Sequence, residues 1–179
     1  MKKNLRNILA LSLGLMTTVA FAQDWNADSR TRIDMSGDND AMSAAQRVTV
    51  GTTWGGSDWG IHVSSDVNYT LGANSEVNAE VYEAYASTDV MGYASLTAGR
   101  QAINNGSGAL MSSNDWAANR TTWDGMTFGL NLDMADITIG YHRTNGGAEA
   151  EEDAGNMWLN AGGEFSGWNV NVLYMTDEG

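Results

Sequence analysis

The sequence lacks two residue types that shape many exported folds, since none of its 179 residues is cysteine or proline. Without cysteine the chain can form neither disulfides nor thiolate metal sites. Without proline every residue keeps its backbone N–H donor, which permits long uninterrupted strands. The absences therefore point away from a disulfide scaffold and toward paired extended structure.

Lysine is also scarce, because all lysines of the chain fall within its first three residues. Together with Arg6 they form a basic start, followed by the apolar stretch 8–19 and the small-x-small pattern at 20–22. This order is typical of a secretory signal peptide, so residues 1–22 are the predicted leader and Gln23 the predicted first mature residue. The apolar stretch has 12 residues, too few to span a bilayer as a helix.

Removal of the leader leaves a strongly acidic chain. Residues 23–179 contain six arginines, no lysine and 22 acidic residues, a net charge of −16. This charge disfavours nucleic acid and anionic membrane surfaces as partners. No later stretch is apolar enough for a transmembrane helix, so the mature chain is expected to leave the inner membrane.

Apolar and polar residues alternate through most of the mature chain. In "WGIHVSSDVNY", for example, Ile61 and Val63 fall on one face, and His62 and Ser64 on the other. Helical spacing is absent outside the leader, so the sequence predicts an all-β chain. The nine predicted strands cover residues 25–35, 45–54, 58–70, 77–88, 92–100, 122–132, 136–144, 156–165 and 167–176.

The predicted connections alternate between short and long. The short ones cover 55–58, 89–92, 133–136 and 166–167, and the long ones 36–44, 71–76, 101–121 and 145–155. An antiparallel up-and-down meander with tight turns at one end and longer loops at the other is typical of transmembrane outer-membrane β-barrels. Val63, Ile139 and Val172 would then face lipid near the midplane, and the opposite face would line a water-filled lumen. A soluble barrel or sandwich, with the apolar face as its core, is the alternative.

The predicted number of strands bears on whether the chain is complete. Bacterial barrels of this kind have an even number of strands, whereas nine are predicted here. The chain is expected to be the first part of a larger barrel rather than an eight-stranded barrel with one strand miscounted. The predicted domains are thus the leader 1–22 and an incomplete outer-membrane β-barrel over 23–179.

The longest connection carries a resemblance to a known family. "LTAGRQ" (96–101) ends one predicted strand, and "SNDWAANRTTWDG" (113–125) leads into the next. The pattern resembles the outer-membrane porin superfamily, and most closely the alginate-export type of barrel. The matching residues are Gly99, Arg100, Gln101, Asp115, Trp116, Arg120, Asp124 and Gly125.

The resemblance implies a channel for hydrophilic solutes, with an anionic polysaccharide such as alginate among them and arginines guiding the anion. The alternation of side chains along the strands agrees in part with this implication. It places Arg30, Arg32 and Arg47 in the lumen, where guanidinium groups suit carboxylates. Arg100 shares the outward parity of its strand and would need a bulge, near Gly99, to reach the lumen. The candidates for lining or narrowing the pore are Arg30, Arg32, Arg47, Arg100, Asp115 and Arg120.

Acidic residues predicted to face the lumen argue against a bore that selects for anions. On the same parity Asp28, Asp34, His62, Asp66, Glu80 and Glu164 also face inward, and Glu83 conflicts with its outward position. The acidic stretches 36–40 and 148–153 could bind calcium, but they lack the spacing of a calcium loop, and solvated loops are the preferred interpretation. His62 and His142 show no metal-ligand spacing. No metal site is therefore expected.

The sequence as a whole predicts an outer-membrane channel without enzymatic activity or cofactor, because no catalytic motif occurs. Loop 101–121 is expected to fold inward and narrow the bore, although an exposed loop is the simpler alternative. The expected surroundings are the lipid bilayer and lipopolysaccharide of the cell outer membrane, and a homo-oligomer is compatible with them. The alternative function is a small closed outer-membrane barrel with an adhesion or structural role.

Overall fold

The computed structural model describes residues 23–35, 43–72, 76–117, 119–132, 134–143 and 155–178. The predicted leader and the two acidic stretches at 36–40 and 148–153 lie outside these residues. The described part folds into one antiparallel sheet of nine strands. Within it, no helix is long and apolar enough to cross a membrane.

The strands follow one another in the sheet in chain order, so the described residues form an up-and-down meander. Their bounds are β1 (Gln23–Asp34), β2 (Ser43–Gly55), β3 (Trp59–Thr70), β4 (Asn78–Val90), β5 (Ala94–Gln101), β6 (Trp123–Leu132), β7 (Ala135–Arg143), β8 (Gly155–Phe165) and β9 (Trp168–Glu178). The predicted all-β meander of nine strands is confirmed here, with every strand end within two residues of its predicted position. In the described residues β1 and β9 do not pair with each other, and the sheet is not closed.

Tight turns fix the register at one end of the sheet. Ser166 and Gly167 both adopt positive φ, at 51° and 82°, and join the directly paired Phe165 and Trp168. Two left-handed residues give the turn twist that a two-residue hairpin requires. The β2–β3 turn is closed by a 2.9 Å hydrogen bond from the Gly56 N–H to a backbone carbonyl.

The two faces of the sheet differ in burial. Residues that pair across neighbouring strands lie on the same face of the sheet, so Val63, Ile139 and Val172 share one face, called here the apolar face. All three side chains are exposed, Val172 by 61%. Asp66 and His142 lie on the other, polar face and are each only 1% exposed. Of the large hydrophobic residues in the described part, only Tyr82, Met111 and Trp158 are buried. The sheet therefore buries polar side chains and exposes apolar ones.

A bulge in β4 explains the conflicting parity of Glu83. The register shifts by one residue, since Ser64 pairs with Glu83 while the next residue, Ser65, pairs with Val81. Tyr82 is the extra residue of the bulged strand. Strict alternation is thus wrong at this point, because the bulge leaves Glu83 on the polar face.

Candidate functional site

The connection between β5 and β6 is called here the crossing segment, and its described residues, 102–117 and 119–122, lie against the polar face of the sheet. Its carbonyl groups at Asp115 and Ala117 contact Arg30 of β1. Toward its other end, a Cβ placed on Gly106 would lie 2.5 Å from Asn171 Oδ1 of β9. Gly106 adopts φ +58°, which glycine tolerates best. The crossing segment therefore reaches from the first strand of the sheet to the last.

The crossing segment has a defined internal structure. Asn104 Oδ1 accepts the Ser113 N–H at 2.8 Å, and Asn104 Nδ2 donates to Ser113 Oγ at 3.0 Å. Backbone hydrogen bonds join the Asn105 N–H to the Met111 carbonyl and the Thr121 N–H to the Ser113 carbonyl. Met111 has no exposed surface. These contacts distinguish the segment from an extended surface loop.

Two arginines of neighbouring strands bind the same pair of carbonyl groups in the crossing segment. Arg30 donates from Nη1 to the Asp115 carbonyl at 2.5 Å and from Nη2 to the Ala117 carbonyl at 2.7 Å. Arg47 donates from Nη2 to the Asp115 carbonyl at 3.0 Å and from Nη1 to the Ala117 carbonyl at 3.3 Å. Arg30 and Arg47 are directly paired in the β1–β2 register, so their guanidinium groups approach the segment side by side.

Arg32 extends this contact, because its Nη2 donates to the carbonyl of Trp116, between the other two acceptors. Three consecutive carbonyl groups thus face three guanidinium groups. Like charges placed opposite each other on neighbouring strands repel. The carbonyl oxygens offset that repulsion as hydrogen-bond acceptors, but they carry no net negative charge to cancel the positive charges.

Arg120 forms a second, more deeply buried contact. It donates from Nε to Asp66 Oδ2 at 2.9 Å and from Nη2 to Asp66 Oδ1. Thr49 Oγ1 also donates to Asp66 Oδ1, at 2.6 Å, and Arg47 Nε lies 4.0 Å from Asp66 Oδ2. The Arg120 guanidinium stacks over the Tyr82 ring with its Cζ 3.1 Å from the ring centroid. The carboxylate of Asp66 thereby links the crossing segment to β2 and β3.

The Asp115 side chain lies at the edge of this cluster. Its Oδ1 accepts a hydrogen bond from Ser113 Oγ at 2.9 Å and lies 3.9 Å from Arg120 Nη1. The side chain is 63% exposed, whereas Asp66 is buried. Asp115 is therefore an acidic group that a solute beside the segment can reach.

The start of the crossing segment is attached at Glu83. Its Oε1 accepts the Ala102 N–H at 3.2 Å, and its Oε2 lies 3.6 Å from His62 Nε2. His62 in turn contacts Thr53 Oγ1 through Nδ1 at 2.8 Å and stacks on the Tyr85 ring. The bulge in β4 is what brings the Glu83 carboxylate to this position.

Arg100 lies apart from the other candidate arginines, because its side chain is on the apolar face of the sheet. The register of β5 with both its neighbours runs through Gly99 without a shift, so Arg100 keeps the face of Ala98. On that face it donates to both oxygens of Asp124, at 2.7 and 2.8 Å. The bulge near Gly99 that a lumenal Arg100 would need does not occur in this described strand. Gly99, at φ +128°, instead permits close backbone approach, since a Cβ there would overlap the Ala84 carbonyl oxygen.

An open cavity of about 320 Å³ adjoins the crossing segment on the polar face. Its lining includes Asp28, Arg47, His62, Glu83, Asp115 and Arg120. Charged groups of both signs and hydrogen-bonding groups converge on it. Such a lining suits water and hydrophilic solutes rather than an apolar ligand.

Several residues of this site were not predicted from the sequence. Alternation placed Asp66 on the polar face, but nothing marked it as the partner of Arg120. Tyr82, Ser113 and Asn104 were not singled out at all. The opposing parities of Glu80 and Glu83 were the available signal for the bulge next to Tyr82. In the part of the chain that the structure describes, no group of three acidic or histidine side chains could hold a metal ion.

Comparison with known proteins leaves the family open. No protein-family model matches the chain, and no curated protein matches it significantly. The porin-like pattern thus rests on the residues between 96 and 125 alone.

Proposed function

We propose that this sheet is part of the wall of an outer-membrane β-barrel that passes hydrophilic solutes. The observation that carries the proposal is the reversal of burial between its faces. A sheet in water would cover Val63, Ile139 and Val172, yet these side chains are exposed while Asp66 and His142 are buried. Lipid would cover the apolar face, and a water-filled lumen would adjoin the polar one.

Aromatic residues near the tight turns support the same placement. Trp59, Phe165 and Trp168 are exposed beside the β2–β3 and β8–β9 turns. Exposed aromatics at strand ends are typical of the girdles that mark the membrane–water interface. With the predicted leader, they favour localisation in the outer membrane, with lipid and lipopolysaccharide around the wall.

The crossing segment would narrow the channel. It lies on the proposed lumenal face and contacts both β1 and β9. The adjoining cavity is lined by Arg47 and Arg120 as well as by Asp28 and Asp115. This mixture of charges favours small hydrophilic solutes, and the anionic polysaccharide implied by the porin resemblance would have to pass acidic groups too.

A pair of arginine substitutions tests the assignment of the faces. Ile139 and Thr138 are neighbours on opposite faces of β7, and Thr138 adjoins a cavity of about 330 Å³ beside Asp136. Ile139→Arg should cost about 2–4 kcal/mol of folding free energy in a bilayer, and Thr138→Arg much less. Urea titration after refolding into phospholipid vesicles measures both. Equal losses would contradict the lipid-facing assignment.

Fractionation and conductance complete the test. The full-length protein that contains this chain is expected in the outer-membrane fraction, and after purification it is expected to form conducting channels in planar bilayers. Recovery in the soluble periplasm would contradict the barrel. Membrane insertion without conductance would instead favour the adhesion or structural role.

A further inference from the structure

We propose that Arg30 and Arg47 are positioning residues, which set the place of the crossing segment through the shape of their guanidinium groups rather than through their charge. The inference rests on the proposed channel, because it concerns what determines the channel's width. It differs from the role that the porin resemblance implies, in which arginines contact the passing solute.

The first support is the identity of the acceptors. Arg30 and Arg47 each use both terminal nitrogens, and each bridges the Asp115 and Ala117 carbonyl groups. The contacted atoms belong to the backbone, so the contacts fix the path of the chain itself. Two planar forks on two shared acceptors leave the segment little freedom to shift sideways.

The second support is the geometry of the donor. A guanidinium group presents N–H donors in a rigid plane and can bind two acceptors at once, whereas an ammonium group is a compact charge on a flexible stem. Lysine at either position would preserve the positive charge but would present all its donors from one nitrogen, so it could not reproduce the planar two-nitrogen bridge. Shape and charge can therefore be separated by one conservative substitution.

The third support is that these terminal nitrogens are already engaged. Both terminal nitrogens of Arg30 and of Arg47 donate to the segment. A solute carboxylate could take these four N–H groups only by displacing the Asp115 and Ala117 carbonyl groups, while each terminal nitrogen retains one further N–H. Arg47 is also only 5% exposed, which restricts direct contact with solute.

Hydrogen exchange in the purified, refolded full chain measures the position of the segment directly. The Ala117 N–H donates to the Asn114 carbonyl at 2.9 Å, and the Thr121 N–H to the Ser113 carbonyl at 2.8 Å. In the double variant Arg30→Lys/Arg47→Lys, exchange of these two amides should rise on the order of tenfold or more, because the two-nitrogen guanidinium bridges to the segment are lost although the charge is kept. Mass spectrometry of peptides covering 113–121 gives the rates.

Arg100→Lys is the matched control, because Arg100 binds Asp124 on the apolar face and donates to no residue of the crossing segment among its described hydrogen bonds. It should leave exchange in 113–121 unchanged. Unchanged exchange in the Arg30/Arg47 double variant as well would overturn the inference. If the double variant does not fold, Arg30→Lys alone must still raise exchange, since only the Arg47 bridge would remain.

Planar-bilayer recordings separate this inference from the proposed channel. If both hold, the double lysine variant shows higher conductance with unchanged ion preference, because charge is retained while the constriction loosens. If exchange rises but conductance stays constant, the positioning role stands and the proposed constriction fails. Altered ion preference with normal exchange would assign the two arginines to solute contact and overturn the positioning role.

Discussion

Two carboxylates of this chain bind arginine in similar geometry but in different surroundings. Asp66 accepts from two nitrogens of Arg120 and is 1% exposed. Asp124 accepts from two nitrogens of Arg100 and is 55% exposed, at the start of β6. A buried ion pair that loses one partner leaves an uncompensated charge out of water, whereas an exposed ion is solvated.

Asp66→Asn is therefore expected to lower the free energy of unfolding by about 3–5 kcal/mol, because Arg120 and Arg47 would lose their buried counter-charge. Asp124→Asn, the matched control, should cost less than about 1 kcal/mol. Denaturant titration of the refolded variants in the same detergent compares them. A cost at Asp124 equal to that at Asp66 would contradict the importance of burial.

For single residues, the sequence predicts which face of the sheet a side chain occupies but not which group it binds. Alternation placed Arg30, Arg32 and Arg47 on the polar face, because a side chain's face follows from its position along a strand. It could not identify their acceptors, since the bond from Arg30 to Ala117 joins residues 87 apart in the chain. It failed beyond Tyr82, because a one-residue bulge reverses the parity of the later residues in the strand, and the conflicting position of Glu83 was the one sign of it in the sequence.

Among the elements, the crossing segment departs most from what its composition suggests. Its glycine, serine and asparagine are typical of exposed loops. Here Asn104 and Ser113 bind each other and Met111 is fully buried. The strands were predictable, since alternation and turn residues mark them locally. An inward fold of the segment was expected from its length, but its particular contacts were not predictable, because they are with distant strands.

Deletion of residues 104–114 should raise single-channel conductance. The deletion removes the part that reaches Asn171, while the carbonyl groups of 115–117 remain for the arginines. Deletion of the uncharged residues 144–148, in the long connection after β7, is the control, and it should change conductance less. Equal conductance of the wild type and the 104–114 deletion would mean that the segment does not constrict the path.

At the scale of the whole molecule, charge is distributed unevenly. Four of the six arginines in residues 23–179, Arg30, Arg32, Arg47 and Arg120, contact the crossing segment or belong to it. The 22 acidic residues are spread along the chain and give the net charge of −16. The field at a distance is therefore negative, although the site itself concentrates positive groups.

The proposed channel should consequently prefer cations at low salt. Reversal potentials in potassium chloride gradients are expected to show cation preference near 0.05 M, and less of it near 1 M, where the Debye length falls to about 3 Å. Neutral solutes provide the comparison, because their flux should not depend on salt. Anion preference at low salt would show that the local arginine cluster outweighs the net charge.

The contacts of Arg30 also imply an order of events in time. Every strand pairs with its neighbour in the chain, so the wall can grow hairpin by hairpin from local contacts. The bonds from Arg30 to the crossing segment span 85 and 87 residues, and they require β1, β2, β5 and β6 to be in place first. Distant contacts form late because their closure entropy must be met beforehand. If this sheet is the wall of the proposed channel, a newly assembled wall exists for a time without its constriction, and narrowing is the last step of its maturation.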